Sequence, residues 1–262
     1  MVINVFDLDG KVSGKIELPQ IFNEEVRQDL ILRAILSENS IKFQPQSSYR
    51  FAGMETSAVY VGRMNVYRTG RHMGIAIRPR EKLGGGVQGK VKRIPSATKG
   101  RRAHPHKVEK ILKERINYKE YQRALVCAIA NTLNFEKIKD LPLVLNDKIE
   151  VLAKTKDVLK IFNSLNLNQY LETNKRIRKG LRRSTKQVSY KKTVLIIVKN
   201  NSSILKAARN IAGFDVCTTK TLSVNLLSPG GNSNRLVIWS ESAIKNIEKD
   251  IKELKVKNNN LN

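Results

Sequence analysis

Two apolar runs at the start of the chain alternate with polar residues and flank Asp9-Gly10. An Asp-Gly pair accepts the positive φ angles of a two-residue turn, so this pattern predicts a β-hairpin. The next apolar residues have the three- and four-residue spacing of one helical face, with Asn23 as the predicted N-cap and an end near Asn39. That face contains Val26, Leu30, Ile31, Ala34 and Ile35.

A longer pattern of alternating helices and strands begins at Lys107. Two consecutive helices are predicted there, the second after Asn117, whose spacing to Glu120 fits a capping box. Their apolar faces contain Val108, Ile111, Leu112, Tyr121, Ala124, Leu125 and Ala128. Strands are predicted at residues 141–145, 149–152, 193–199, 214–219 and 236–239. The helices between and after them have predicted N-caps at Thr155, Ser202 and Ser240, with a short helix at residues 221–227.

Strands that alternate with helices at this spacing predict an α/β fold with a mostly parallel sheet and helices on both of its faces. We interpret residues 1–262 as a single α/β domain. Residues 42–107, which lack an apolar period long enough for a core helix, interrupt it near its start as a long extended loop. Residues 173–192 form a second polar segment, a basic arm, and residues 255–262 are predicted to be a frayed tail.

The net charge of +26 is concentrated in the loop and the arm. The loop has fifteen basic and two acidic residues, and residues 173–192 have nine basic residues and no acidic one. Together they carry +22, so the rest of the chain is almost neutral. Charge placed in this way favours a polyanionic partner and is typical of nucleic-acid binding. A membrane surface would require an amphipathic stripe with aromatic anchors, which neither segment has.

Arginine is more frequent than lysine in the loop, and aromatic residues lie among the basic ones. A guanidinium group binds phosphate through a planar pair of donors and stacks on bases, while aromatic rings cover bases and sugars. We therefore predict that both segments bind RNA. The predicted RNA-binding residues are Arg50, Arg63, Arg68, Arg71, His72, Arg78, Arg80, Lys82, Lys90, Lys92, Arg93, Lys99, Arg101, Arg102, His104, Lys107, Arg176, Arg178, Lys179, Arg182 and Arg183.

A glycine-rich motif in the loop has the spacing of a nucleotide-binding loop. Gly84, Gly89 and Lys90 fit G-x-x-x-x-G-K, but no apolar strand precedes them, and Val91 stands where a hydroxyl would bind magnesium. This context argues against a nucleotide, and no cofactor is predicted. We interpret the glycines as positions where the backbone passes close to RNA. The predicted close-approach glycines are Gly70, Gly84, Gly85 and Gly86.

The sequence contains no constellation of metal ligands or catalytic groups. His72, His104 and His106 lack further ligands at metal spacing. Cys127 and Cys217 lie in apolar runs typical of reduced core residues. Outside the loop no histidine and no nucleophile with a nearby base accompanies the carboxylates. We predict neither a metal site nor an enzyme.

Three motifs of the loop resemble a known family. They are Arg-Thr-Gly-Arg at residues 68–71, the triple glycine at residues 84–86, and Gly-Arg-Arg-Ala-His-Pro at residues 100–105. Together with the interrupted α/β body, they make the whole chain resemble the family of large-subunit ribosomal protein four in its archaeal and eukaryotic form. Eukaryotic members usually carry a long C-terminal extension, whereas this sequence stops at Asn262, so the archaeal type is expected.

The resemblance implies a structural protein of the cytoplasmic ribosome that binds large-subunit rRNA, supports subunit assembly and forms no homo-oligomer. It implies that the loop threads through rRNA to the polypeptide exit tunnel, beside ribosomal protein L twenty-two. Arg71, His72 and Met73 would then line the tunnel wall and meet the nascent polypeptide. Two alternatives stay open from the residues alone: an RNA-modifying enzyme whose basic arms hold its substrate, and a chromatin-type DNA-binding protein.

Overall fold

The chain of the computed structural model forms two compact units. One, here called the body, contains residues 1–41 and 114–262, and the other, called the inserted unit, contains residues 42–113. The structure describes residues 2–60, 62, 64–65, 71, 74, 76–134, 141–171, 175–179, 186–231 and 235–259, with the backbone alone at residues 86, 88, 175–179, 186–187 and 252–259.

The secondary structure is numbered in chain order. The strands are β1 (Val2–Phe6), β2 (Val12–Glu17), β3 (Arg80–Lys82), β4 (Gln88–Val91), β5 (Leu143–Leu145), β6 (Lys175–Lys179), β7 (Lys186–Tyr190), β8 (Val194–Val198), β9 (Phe214–Thr218) and β10 (Leu236–Ser240). The helices are α1 (Gln28–Ile41), α2 (Tyr118–Asn131), α3 (Thr155–Ser164), α4 (Ile204–Ala208), α5 (Val224–Leu227) and α6 (Glu241–Asn259).

A six-stranded sheet with the order β2-β1-β5-β10-β8-β9 is the centre of the body. Strands β1, β5, β10, β8 and β9 run parallel, and β2 pairs with β1 as an antiparallel edge. Leu195 and Ile197 of β8 pack in a cluster with α1, α2, α5 and α6, whereas Ile196 and Val198 pack in a second cluster with α3 and α4. Because neighbouring residues of a strand point to opposite faces, helices cover both faces of the sheet. The predicted α/β fold class is confirmed.

Several local predictions are also confirmed. The first two strands form a hairpin whose turn contains Gly10 at φ 81°. Ser240 caps the last helix, because its Oγ accepts a hydrogen bond from Ala243 N at 3.3 Å. The short helix predicted at residues 221–227 forms as α5 over Val224–Leu227, and Ser223, which was not predicted as a cap, accepts a hydrogen bond from Leu226 N.

The helix predicted from Lys107 is wrong, because residues 107–116 contain no helix. Val108 and Ile111, on its expected apolar face, are 54% and 83% exposed. Short helices are marginal in water without a surface to pack against, which explains why the spacing alone does not produce one here. The following helix does form and begins after Asn117, although the side chain of Asn117 makes no capping hydrogen bond.

The start of α1 and the predicted strand at residues 149–152 also differ. Asn23 ends a 3-10 turn anchored by buried Phe22, and α1 begins only at Gln28. Residues 147–151 form a 3-10 turn instead of a strand. There the carboxylate of Glu150 accepts hydrogen bonds from Lys199 N and Ser240 Oγ, both at 3.0 Å, so tertiary contacts override the apolar pattern.

Two helix ends lie at other residues than predicted. Ser203, rather than Ser202, precedes α4, and its hydroxyl donates to the carbonyl of Val151 at 2.8 Å instead of capping the helix. The backbone of α6 is helical through Asn259, so the fraying predicted for residues 255–262 is not observed over residues 255–259.

The body holds together the two points at which the inserted unit begins and ends. Ser37 Oγ, in α1, donates to the carbonyl of Glu114 at 2.8 Å, and Glu114 N donates to Ser40 Oγ at 2.9 Å. The chain therefore leaves the body at the end of α1 and returns to it beside the last turn of the same helix.

Candidate nucleic-acid interface

The inserted unit has internal order of its own. Strands β3 and β4 pair antiparallel, and Arg80 also forms a β-bridge with Val59. The turn between β3 and β4 is a 3-10 turn at Gly84–Gly86, in which Gly85 has φ 73°. Unlike the extended loop expected from the sequence, this segment carries backbone pairing that fixes the position of its basic residues.

Some of the predicted RNA-binding side chains bind the unit itself. Arg93 donates to the carbonyls of Met54 and Ala58, each at 3.2 Å. Arg71 donates to the carbonyl of Gly62 at 2.7 Å. Arg93 thus joins stretches that are distant in sequence, and Arg71 bonds to a carbonyl nine positions earlier in the chain, so both guanidinium groups position the unit.

Two more of these cations have partners nearby. Arg80 donates to the carbonyl of Ala76 at 3.3 Å. Lys92 Nζ lies 4.0 Å from a carboxylate oxygen of Glu81. We infer that these side chains hold the β3–β4 ribbon as well as adding to its positive charge.

The other predicted cations of the inserted unit are exposed. Between Gly100 and Lys107 every position after the glycine is exposed, and three of the seven are arginine or lysine. The exposed predicted residues that have no bracing role in the described structure are Arg50, Arg78, Lys82, Lys90, Lys99, Arg101, Arg102, His104 and Lys107. This group can reach an external polyanion without losing a contact within the unit.

The basic arm contains an antiparallel ribbon. Strands β6 and β7 pair over five residues each, from Lys175 opposite Tyr190 to Lys179 opposite Lys186. Arg176, Arg178 and Lys179 thus lie on β6, and the ribbon is here called the basic hairpin. Val188 and Tyr190 of β7 are exposed.

Several predicted site residues lie outside the described residues. They are Arg63, Arg68, Gly70, His72, Met73, Arg182 and Arg183. Their RNA-binding or tunnel-lining roles stay predictions.

The glycines separate into two kinds. A Cβ added at Gly84 or Gly85 would meet no atom within 4 Å, so close packing inside the chain does not explain them. At Gly100 an added Cβ would lie 2.0 Å from the carbonyl oxygen of Ile94, and at Gly53 it would lie 2.5 Å from the carbonyl oxygen of Gly100. The close packing at Gly53 and Gly100 was not predicted from the sequence, although Gly100 stands inside the Gly-Arg-Arg-Ala-His-Pro motif.

A buried ion pair holds the body at the root of the basic hairpin. Arg235 is 2% exposed, and its guanidinium donates to Asp215 Oδ2 at 2.6 Å. Lys192, two residues after β7, donates to the other oxygen of Asp215 at 2.6 Å. Burial by itself would raise the pKa of Asp215, but the hydrogen bond from Lys192 and the positive charge of Arg235 outweigh it and lower the pKa. Lys192, one of the nine bases of the arm, is therefore already paired.

The place where an α/β enzyme would bind a ligand is filled by the body's own side chains. In doubly wound sheets, ligands bind beyond the carboxyl ends of the strands, where neighbouring connections leave on opposite faces. Here the chain leaves β5 towards α3 and leaves the adjacent β10 towards α6. Between them, Glu150 accepts from Ser240 Oγ, and Asp147 accepts from Ser242 N at 2.8 Å. The geometry gives the RNA-modifying enzyme no support.

The described residues also show no group of three or more His, Cys, Asp or Glu side chains able to hold a metal ion. Both cysteines are buried and unpaired, and burial raises the pKa of the Cys217 thiol to about 12. Among the described helices, none is long and apolar enough to cross a membrane.

Comparison with known proteins identifies the family. The model of the Ribosomal protein L4/L1 family matches residues 16–250, a range that includes the inserted unit and the basic hairpin. The chain belongs to this family. The Large ribosomal subunit protein uL4 of Methanococcus maripaludis strain S2 is 40% identical over 94% of the chain and 98% of the relative.

Two further archaeal members of the family carry the same name. That of Methanococcus vannielii is 40% identical over 95% of the chain and 99% of the relative. That of Methanocaldococcus jannaschii is 38% identical over 93% of the chain and 97% of the relative. Alignment over nearly the full length of these L4 proteins favours neither the enzyme nor the DNA-binding alternative.

Proposed function

We propose that the chain is a structural, non-catalytic constituent of the large ribosomal subunit, where it binds large-subunit rRNA and takes part in translation. The observation that carries this is the exposed cation set of the inserted unit, on a chain whose residues outside the loop and the basic arm are almost neutral. Like charges this close repel one another unless counter-ions neutralise them, and rRNA phosphates supply that neutralisation. The name of its archaeal relatives supports the same assignment.

Within this function, the two kinds of arginine have different roles. Arg71, Arg80 and Arg93 shape the inserted unit through their bonds to backbone carbonyls. The exposed cations, such as Arg101 and Arg102, contact phosphate and supply most of the affinity. The basic hairpin adds a second phosphate-binding element to the body.

The tunnel role is a finer part of the proposal. The inserted unit passes through rRNA during subunit assembly, and Arg71, His72 and Met73 line the exit tunnel beside ribosomal protein L twenty-two. The family resemblance supports it, and the exposed glycines at the β3–β4 turn are compatible with a backbone that lies against RNA. A photo-cross-linker in place of Met73 should react with a stalled nascent polypeptide. Reaction with rRNA alone would remove Met73 from the tunnel wall.

Co-sedimentation tests the main proposal. The chain should sediment with archaeal large ribosomal subunits and stay bound after a high-salt wash, because an inserted unit that passes through folded rRNA is held by the surrounding RNA as well as by its phosphate contacts. Binding to an isolated rRNA fragment should weaken with salt, with a slope of log affinity against log salt of roughly −9 for about ten phosphate contacts. Loss of the chain from the subunits on washing, or a slope near zero, would contradict the proposal.

Deletion of the inserted unit separates binding from folding. The bonds of Ser37 and Ser40 to Glu114 already hold the two ends together, so a short glycine-serine turn can replace residues 42–113. The shortened body should unfold with an unchanged free energy, and its affinity for rRNA should fall. An unfolded body would show that residues 42–113 belong to its core.

A further inference from the structure

The body has an open groove of 860 Å³ that the rRNA-binding role leaves unused. Its walls are the 3-10 turn before α1, the first turn of α1, α2 and α6. Its apolar lining comes from Ile21, Leu30, Val126 and Ile251. The first three are only half-buried, so the groove presents apolar surface that the body itself does not cover.

The charged residues of the groove are divided between its two ends. Arg27, Lys119 and Arg123 also line an adjoining hollow of 650 Å³, so they mark one end. Glu24, Glu25 and Glu248 line the groove but not the adjoining hollow. They therefore mark the other part of the groove.

These glutamates are unusual on so basic a molecule. Among the described residues, none of the three carboxylates forms an ion pair within 4.0 Å, and Glu24 and Glu25 are exposed. Arg27, by contrast, is engaged by Asp29 at 2.6 Å. The glutamate end is therefore an acidic patch on a chain of net charge +26.

That patch decides which kind of partner fits. Three carboxylates beside an apolar lining repel phosphate, so this part of the groove favours a cationic partner over RNA. Lysine or arginine of a protein would meet them favourably, and its apolar side chains would fill the lining. An amphipathic segment lying in an apolar groove is a recurrent mode of recognition between proteins.

We propose that the groove docks an amphipathic segment of another large-subunit protein, with the segment's lysine or arginine residues against Glu24, Glu25 and Glu248. This inference rests on the proposed ribosomal function. It adds to that function a protein-binding face on the body, separate from the cations of the inserted unit.

Photo-cross-linking within assembled subunits tests it. The full chain, with p-benzoylphenylalanine in place of Gln122 on the groove wall, is incorporated into archaeal large subunits, which are washed and irradiated. The expected product joins the chain to a peptide of another ribosomal protein that contains lysine or arginine beside apolar residues. Products with rRNA only, or none, would overturn the proposal.

Charge reversal supplies the matched control. Glu24→Lys with Glu25→Lys should lower the protein cross-link roughly tenfold, because like charges then face each other. Asp9→Lys with Glu17→Lys makes the same change in net charge at exposed positions outside the groove and should leave the yield unchanged. Equal yields of the protein cross-link from the two double variants would also overturn the docking proposal. If the chain fails to co-sediment at all, the ribosomal function fails; if it co-sediments without the protein cross-link, only this inference does.

Discussion

Replacing Asp215 by Asn tests how the body is held at the root of the basic hairpin. Asp215 accepts hydrogen bonds from Lys192 and from Arg235, each at 2.6 Å. The side chain of Arg235 is 1% exposed and also donates to the carbonyls of Leu226 and Val194, at 2.8 and 2.7 Å. The substitution keeps the shape of the Asp215 side chain but removes the negative charge that compensates the buried guanidinium.

The two ion pairs of Asp215 differ in their expected contribution. Removing one partner of a buried pair costs about 3–5 kcal/mol, because the other charge is left buried alone. We expect about 3 kcal/mol for Asp215→Asn, since the amide oxygen still accepts a hydrogen bond from Arg235. Lys192 is 50% exposed, so solvent screens its pair and Lys192→Met should cost only about 0.5 kcal/mol. Nearly all of the stability lost in Asp215→Asn should therefore come from the uncompensated charge of Arg235.

Urea unfolding measures these differences. Trp239, the only tryptophan of the chain, is fully buried in β10 and packs edge-on against Phe22, so its fluorescence reports unfolding of the body. The free energy of unfolding follows from the midpoint and slope of each transition. The double variant Asp215→Asn with Arg235→Met should be more stable than Asp215→Asn alone, because it removes the uncompensated charge. A loss below about 1 kcal/mol for Asp215→Asn, or a double variant no more stable, would refute the reasoning.

Three further outcomes are expected. Because the pKa of Asp215 is lowered in the folded body, the ionised Asp215 carboxylate stabilises the body at pH values above the ordinary carboxyl pKa. The difference in the free energy of unfolding between wild type and Asp215→Asn should therefore be complete at pH 7 and should shrink below about pH 4. Glu38→Gln should cost about 2 kcal/mol in urea unfolding, because the Glu38 carboxylate accepts from Tyr121 Oη and from two backbone N–H groups at the start of α5. An unchanged midpoint would contradict that. Gly100→Ala should lower rRNA affinity roughly tenfold without changing the unfolding of the body, since its Cβ would strike the inserted unit's own backbone; equal filter-binding affinities would contradict it.

The body could be predicted from the sequence because its local patterns agree with its tertiary contacts. The strand β8 is a continuous apolar run, and it is buried on both faces as such a run requires. Asp9-Gly10 predicted the first hairpin, since the turn needs the positive φ that Gly10 adopts. Ser240 predicted the start of α6, because the capping bond is made within one turn of helix.

The failures occurred where a distant partner decides the local structure. Helical spacing at Val108 and Ile111 predicted a helix, but both side chains are exposed in the inserted unit and contribute no packing energy. Apolar residues beside Glu150 predicted a strand, but its carboxylate bonds to Lys199 N, 49 positions away in sequence, and the segment turns instead. Nothing in the local spacing of either segment indicates such a partner.

The same reasoning explains why the basic residues could be predicted as a class but not individually. Composition identifies the inserted unit as a polyanion-binding segment, yet it treats Arg93 and Arg101 alike. The structure separates them: both are exposed, but Arg93 donates to two carbonyls of its own unit, whereas Arg101 has no bracing role among the described residues. In a segment with little apolar core, guanidinium–carbonyl bonds take over part of the role of hydrophobic packing. We therefore expect the number of phosphates that the unit binds to lie closer to the number of its cations without such bonds than to its total number of cations, and the slope of log affinity against log salt measures that number.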